Sequence, residues 1–259
     1  MIIFKILKVM LNIVFCFFLI AFFILVFVPQ RNPGGSYNNK GIVPFSVDNK
    51  DITYNNNDNS NMPSNKIYPL LNDDQRKEIL NRAKAMTEIK WTPSYNLIDK
   101  YGYYIFIKGK TYYGIPYSMD AYQAMSVQAF SDKIKNSKIL YGNDCSAFVS
   151  AAWGISRQTT WSFYDAVKNE NKIDGRSVYG IAWEDLRAGD ALLIDDGKGK
   201  GHIMLYIDTD EKNKDNIEVY EQDIQTIVPF QPIPVARKDV RSKNTMLKQG
   251  YMPIRISST

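Results

Sequence analysis

From Val9 to Val28 the chain runs VMLNIVFCFFLIAFFILVFV, with Asn12 its only polar residue. About twenty apolar residues in succession form a helix long enough to cross a bilayer core, so residues 1–28 are expected to be a transmembrane anchor. Lys5 and Lys8 precede the block, and Arg31 is the only charge that closely follows it. That imbalance puts the N-terminus in the cytoplasm and the rest of the chain outside, as a single-pass protein of the cell membrane. A cleaved signal peptide fits less well, because the apolar stretch exceeds a usual signal core and no small-residue pair precedes a cut near Pro29 to Pro33. Cys16 follows Ile13, Val14 and Phe15 rather than the small residues of a lipoprotein site, and reads as a buried apolar residue.

Residues 29–66 are rich in Asn, Asp, Ser, Gly and Pro, as in NPGG and NNNDNSNMPSNK, and no apolar period in them can bury a face. They are expected to be a disordered linker. Residues 67–259 are the right length for one domain. With 45% hydrophobic residues, 17 Tyr, 13 Phe and 4 Trp the chain can build a core without staples. The formal charge of +5 is scattered among acids, so no nucleic-acid partner is expected.

Within the domain, Asp73 and Asp74 are expected to cap a helix through DQRKEILNRAKAM, where Ile79, Leu80, Ala83 and Met86 recur at helical spacing. YYIFIKGKTYYGIPY reads as a hairpin turning at Lys108-Gly109-Lys110, with a helix from about Asp120 after it. CSAFVSAAWG carries little polarity and predicts a buried helix stopped by Gly154. WSFYDAVK predicts another, capped by Thr159 or Thr160. DALLID, HIMLYID, IEVYEQD and GYMPIRI then read as strands between polar or Gly-rich turns. Helices followed by antiparallel strands make an α+β domain.

Beyond Cys16 the chain has one cysteine, Cys145, and it has one histidine in all, His202. Outside the cell Cys145 has no intramolecular disulfide open to it. A histidine-based metal cluster is excluded by number, and neither metal nor cofactor is expected. A free thiol can be a small buried hydrophobe or a nucleophile. Asn143-Asp144-Cys145 sets the sulfur in the first turn of the expected helix, where unpaired N–H groups and the dipole stabilise a thiolate, with Asp144 as the cap. His202 follows the Gly-rich KGKG turn, at a strand end that can face a helix N-terminus. The next strand offers two groups to orient its ring. Glu221 shares parity with Ile217 and Val219, expected to look inward, whereas Gln222 shares the more solvent-like parity of Glu218.

YYGIPYS, NDCSAFVSAAWG, LRAGDALLI and GHIMLYI stand in that order between Tyr112 and Val228. In these landmarks the chain resembles the NlpC-type cell-wall peptidases and the neighbouring CHAP amidohydrolase/peptidase domains, compact relatives of papain. The resemblance implies a papain-like fold, helices packed on an antiparallel sheet, with Cys145 as nucleophile and His202 as base. The third member is Glu221 in the CHAP manner, assisted by Asp223, or Gln222 in the NlpC manner. A thiolate–imidazolium pair at rest, an acyl-enzyme, and an oxyanion hole from the Cys145 N–H with Tyr117 or Ser118 nearby are implied too. So is the substrate, peptidoglycan stem peptides, cut by an endopeptidase or an N-acetylmuramoyl-L-alanine amidase. Met119-Asp120-Ala121 stands where that family carries Trp-Gly-Gly. A cysteine amide hydrolase or acyltransferase with another substrate, and a non-catalytic wall-binding module, are the alternative readings.

Overall fold

Asn72, rather than Asp73 or Asp74, caps the first helix among the described residues. In the computed structural model, which describes residues 67–99, 105–119, 123–198, 201–223 and 234–258, α1 spans Asp73–Glu88. The Asn72 side chain accepts from the Gln75 N–H at 2.8 Å and the Gln75 side chain accepts from the Asn72 N–H at 2.9 Å, a reciprocal capping box. The two aspartates fall in the first turn, where the dipole favours them. Ile79, Ala83 and Met86 are buried as their spacing predicts. The anchor and linker expected over residues 1–66 lie outside the described residues, among which no helix is long and apolar enough to cross a membrane.

The expected hairpin at Lys108–Lys110 is replaced by two separate pairings. β1 (Lys90–Trp91) pairs with β4 (Tyr112–Tyr113), and β2 (Leu97–Ile98) pairs with β3 (Ile105–Phe106). The chain does turn there, with the Lys110 N–H donating to the Ile107 carbonyl at 3.1 Å. The flanking runs nonetheless find partners earlier in the chain, because Trp91, Phe106, Tyr112 and Phe130 must meet in one cluster, the Trp91 ring lying 5.3 to 5.4 Å from the other three. The following helix, α2 (Val127–Ile134), is capped by Ser126 and starts later than the Asp120 expected for it.

α3 (Cys145–Trp153) is buried at every residue and ends at Gly154, as its composition predicts. α4 (Thr160–Asn169) is capped by Thr159. The remaining described strands are β5 (Lys172–Ile173), β6 (Arg176–Gly180), β7 (Ala191–Asp195), β8 (Gly201–Thr209), β9 (Asn216–Glu221), β10 (Arg237–Ser242) and β11 (Met252–Ile256). Among the described residues they form one seven-stranded sheet in the order β10-β9-β8-β7-β11-β6-β5, every pairing antiparallel. The domain is thus α+β, as expected, with five α-helices among the described residues.

β10 was not legible in advance: RKDVRS has no apolar alternation, yet it closes the edge of β9. β11, the last described strand, inserts between β7 and β6. A short helix, α5 (Lys243–Gln249), contributes Met246 to a second core with Leu192, Met204, Tyr206, Ile217 and Val219. The sheet therefore separates the main core, which contains α1 and α3, from this smaller one.

Asp190, of the AGD step, lies at a buried junction. Its carboxylate accepts from Arg76 Nη1 at 3.0 Å, Arg255 Nε at 2.9 Å, Arg255 Nη2 at 2.7 Å and the Arg187 N–H at 2.8 Å. These bonds tie α1 and β11 to the start of β7.

Candidate active site

Cys145 is the first residue of α3 and a free thiol, only 8% exposed. Asp144 is its helix cap: one oxygen accepts from the Ala147 N–H at 2.7 Å and the Ser146 hydroxyl at 2.9 Å, while the other accepts from Arg157 at 2.6 Å. The cap is held from behind by Asn143, whose side-chain amide bonds the Ala124 backbone in both directions, at 2.8 and 2.6 Å. Asn143 also donates from its N–H to the Pro116 carbonyl at 3.1 Å and accepts at its carbonyl from the Ser118 N–H at 2.8 Å. This close approach needs a glycine at 142, where a Cβ would lie 2.2 Å from the Pro116 oxygen. Tyr117 and Ser118 are thereby set alongside the dipeptide that leads into Cys145, while Asp120 and Ala121 lie outside the described residues.

His202 is the second residue of β8, opposite Ile194 of β7. The strand enters against the start of α4 so closely that a Cβ on Gly201 would lie 2.2 Å from the Thr160 hydroxyl oxygen and 2.8 Å from an Asp195 oxygen. The imidazole is 17% exposed, with Nε2 lying 3.4 Å from Glu221 Oε2. The Cys145 thiol lies near enough to the ring to favour its charged form. With Nε2 turned to Glu221, Nδ1 is the ring nitrogen left to serve the sulfur. Burial, the largest influence on the ring, disfavours its charge. Tyr251, Cys145 and Glu221 act the other way, and the pKa stands well above the ordinary 6.5.

Glu221 is fully buried at the end of β9. Burial opposes its ionisation most strongly, but the hydrogen bond and charge of His202, with the charges of Arg241 and Arg237, hold it well below the usual carboxylate range. Its parity with buried Ile217 and Val219 is as read from the sequence. The same reading made Gln222 solvent-like, and that is corrected: Gln222 is also fully buried, because cores lie on both sides of the strand. Its Nε2 donates to the Ile115 and Pro116 carbonyls at 2.9 and 2.6 Å, so it braces the segment beside Asn143 while Glu221 meets the imidazole. Asp223 is half-buried, and its charge acts on Arg241 and Tyr251.

The structure thus brings together Cys145, His202 and Glu221 from α3, β8 and β9. Sequence reasoning missed Arg237, Arg241 and Tyr251, which complete their surroundings. The signal available was the alternation Arg237-x-Asp239-x-Arg241, one face of a strand without apolar residues. A concavity of about 410 Å³ elsewhere on the surface, bounded by Trp183, Asp215, Lys243 and Leu247, includes none of these residues. Compared with family models, curated proteins and solved structures, the chain matches none.

The arrangement has the parts of nucleophilic acyl transfer: a thiol at a helix N-terminus, an imidazole near it, and a carboxylate beside the imidazole. As the first helical residue, Cys145 has an N–H with no acceptor within its own helix, and so offers a donor for charge developing on a substrate oxygen.

Proposed function

We propose that this protein is a cysteine hydrolase of papain-like fold, anchored in the cell membrane by its N-terminal helix, that cleaves peptide or amide bonds of peptidoglycan stem peptides outside the cell. The observation that carries the chemistry is the convergence on the His202 ring of Glu221, whose Oε2 lies 3.4 Å from Nε2, and of the Cys145 thiol, which lies near enough to favour the ring's charged form. The substrate class rests on the order of the four landmarks around Cys145, Asp190 and His202, and on the topology expected from the apolar block.

In the first half-reaction the Cys145 sulfur, its proton held by His202, bonds to the carbonyl carbon, and the oxygen takes the charge at the N-terminal turn of α3. The tetrahedral species collapses as the C–N bond breaks and His202 gives its proton to the departing amine. Water then attacks the thioester, His202 taking its proton, and the carboxylic acid leaves as the sulfur regains its resting state. Glu221 fixes the ring and favours its charged form throughout.

The test is digestion of purified cell wall by the full-length protein, with released fragments identified by mass spectrometry. New amine termini are expected from the native protein and their loss from Cys145→Ala. Intact wall, or equal release by the variant, refutes the proposal. The chemistry of the new termini separates an endopeptidase from an amidase.

A further inference from the structure

Glu221 is not a carboxylate facing a histidine alone. Arg237 Nη2 and Arg241 Nη2 both lie 2.5 Å from its Oε1, while Oε2 is the oxygen toward His202. The pairing register explains how: Arg237 is opposite Glu221, Asp239 opposite Val219 and Arg241 opposite Ile217, so alternate residues of β10 project on the side of β9 that carries Glu221. Asp239 ties the two guanidinium groups together at 3.2 and 3.7 Å. Both arginines are largely buried, so neither is a loose surface charge.

Two guanidinium groups on one oxygen do two things that a single histidine cannot. They stop the carboxylate from rotating, and they offset part of the negative charge that the imidazole feels. We infer that Arg237 and Arg241 are positioning residues that act on His202 through Glu221, fixing Oε2 behind the ring and limiting how strongly the carboxylate favours imidazolium. The inference rests on the proposed Cys145–His202 chemistry for its purpose, but its physical content concerns the resting protein alone. Among the described residues, the other charged or titratable groups facing this cluster are Cys145, Asp223, Asp239 and Tyr251.

Because His202 is the only histidine in the chain, labelling full-length protein with 13C-histidine gives one imidazole signal, whose titration is read directly by NMR. Arg241→Gln and Arg237→Gln, made singly so that the other arginine still holds Glu221, are each expected to move the midpoint upward. Each removes a positive charge near the ring while leaving the carboxylate. Arg241→Lys keeps the charge and is expected to return the midpoint toward the native value. Glu221→Gln is expected to move it downward. In wall digestion the glutamine variants are expected to lose kcat by about 10- to 100-fold through misplacement of the ring, with little change in KM.

An unmoved midpoint in a glutamine variant that melts like the native protein overturns the inference, as does a downward shift. The lysine variant keeps the question answerable if a glutamine variant fails to fold: without both a near-native midpoint and reduced kcat from the lost fork, the positioning role is refuted. Failure of the hydrolase reading itself appears separately, as wall left intact by the native protein while the NMR shifts persist.

Discussion

Removing the Asp190 carboxylate with Asp190→Ala leaves two buried guanidinium groups without a counter-charge. Their side chains are each only 7% exposed, and four hydrogen bonds to the carboxylate vanish at once. Arg76 keeps the Ala188 carbonyl and Arg255 keeps the Asp185 carbonyl. Among the described residues Arg76 Nε and Nη2 already lack partners and find no spare acceptor. Breaking one side of a buried ion pair costs about 3–5 kcal/mol, a large part of the roughly 5–15 kcal/mol that holds a domain together. At about 2–4 °C per kcal/mol for a domain of this size, Tm is expected to fall by about 6–20 °C. Circular dichroism melts at pH 7, with urea titrations to check that the m-value is unchanged, measure it. The triple replacement Asp190→Leu, Arg76→Met and Arg255→Met is expected to recover much of the loss, since matched apolar groups often serve a buried site as well. An alanine variant within about 0.5 kcal/mol of the native protein, or a triple variant worse than the single, refutes the reasoning.

The site itself sets a pH dependence. His202 has a raised pKa in the folded protein, so its contribution to stability is fully present below the ordinary imidazole value of 6.5 and is lost as pH rises through the folded value. Glu221 has a lowered pKa, so its contribution is present above the ordinary 4.5 and is lost as pH falls through the folded value. Urea midpoints measured across pH are expected to be highest between those limits, and His202→Ala to flatten the alkaline side; an unchanged alkaline slope in that variant contradicts the assignment. Wall digestion is expected to persist above the pH at which an ordinary imidazole loses its proton, and a pH–rate profile falling near 6.5 argues against the raised value. Gly201→Ala is expected to push the start of β8 away from Thr160, costing about 1–3 kcal/mol and lowering wall digestion beyond the loss of folded protein; native activity in that variant removes Gly201 from any role in placing His202.

How much of this was readable beforehand depended on whether a feature was local. Helical spacing at Ile79, Ala83 and Met86, the small apolar run of α3 and the alternation in β9 each reflect one element's own burial, so they appear in the order of residues. The strand pairings did not, because whether Tyr112 pairs with Trp91 or with Phe106 depends on how four rings fill one space. Gln222 was misjudged for the same reason, since the strand parity of one residue says nothing of a second core on the other face.

Residue order alone determined that the chain has one histidine and one cysteine beyond its apolar start, and that the cysteine opens a helix behind an aspartate cap. Those are matters of count and of local backbone hydrogen bonding. Only the tertiary structure decided that the imidazole comes to the thiol, that Glu221 rather than Gln222 faces the ring, and that two arginines from a strand with no apolar pattern clamp that carboxylate. Contacts between residues far apart in the chain are set by sheet order and by the paired charges a buried carboxylate requires, and neither leaves a periodic mark in the sequence.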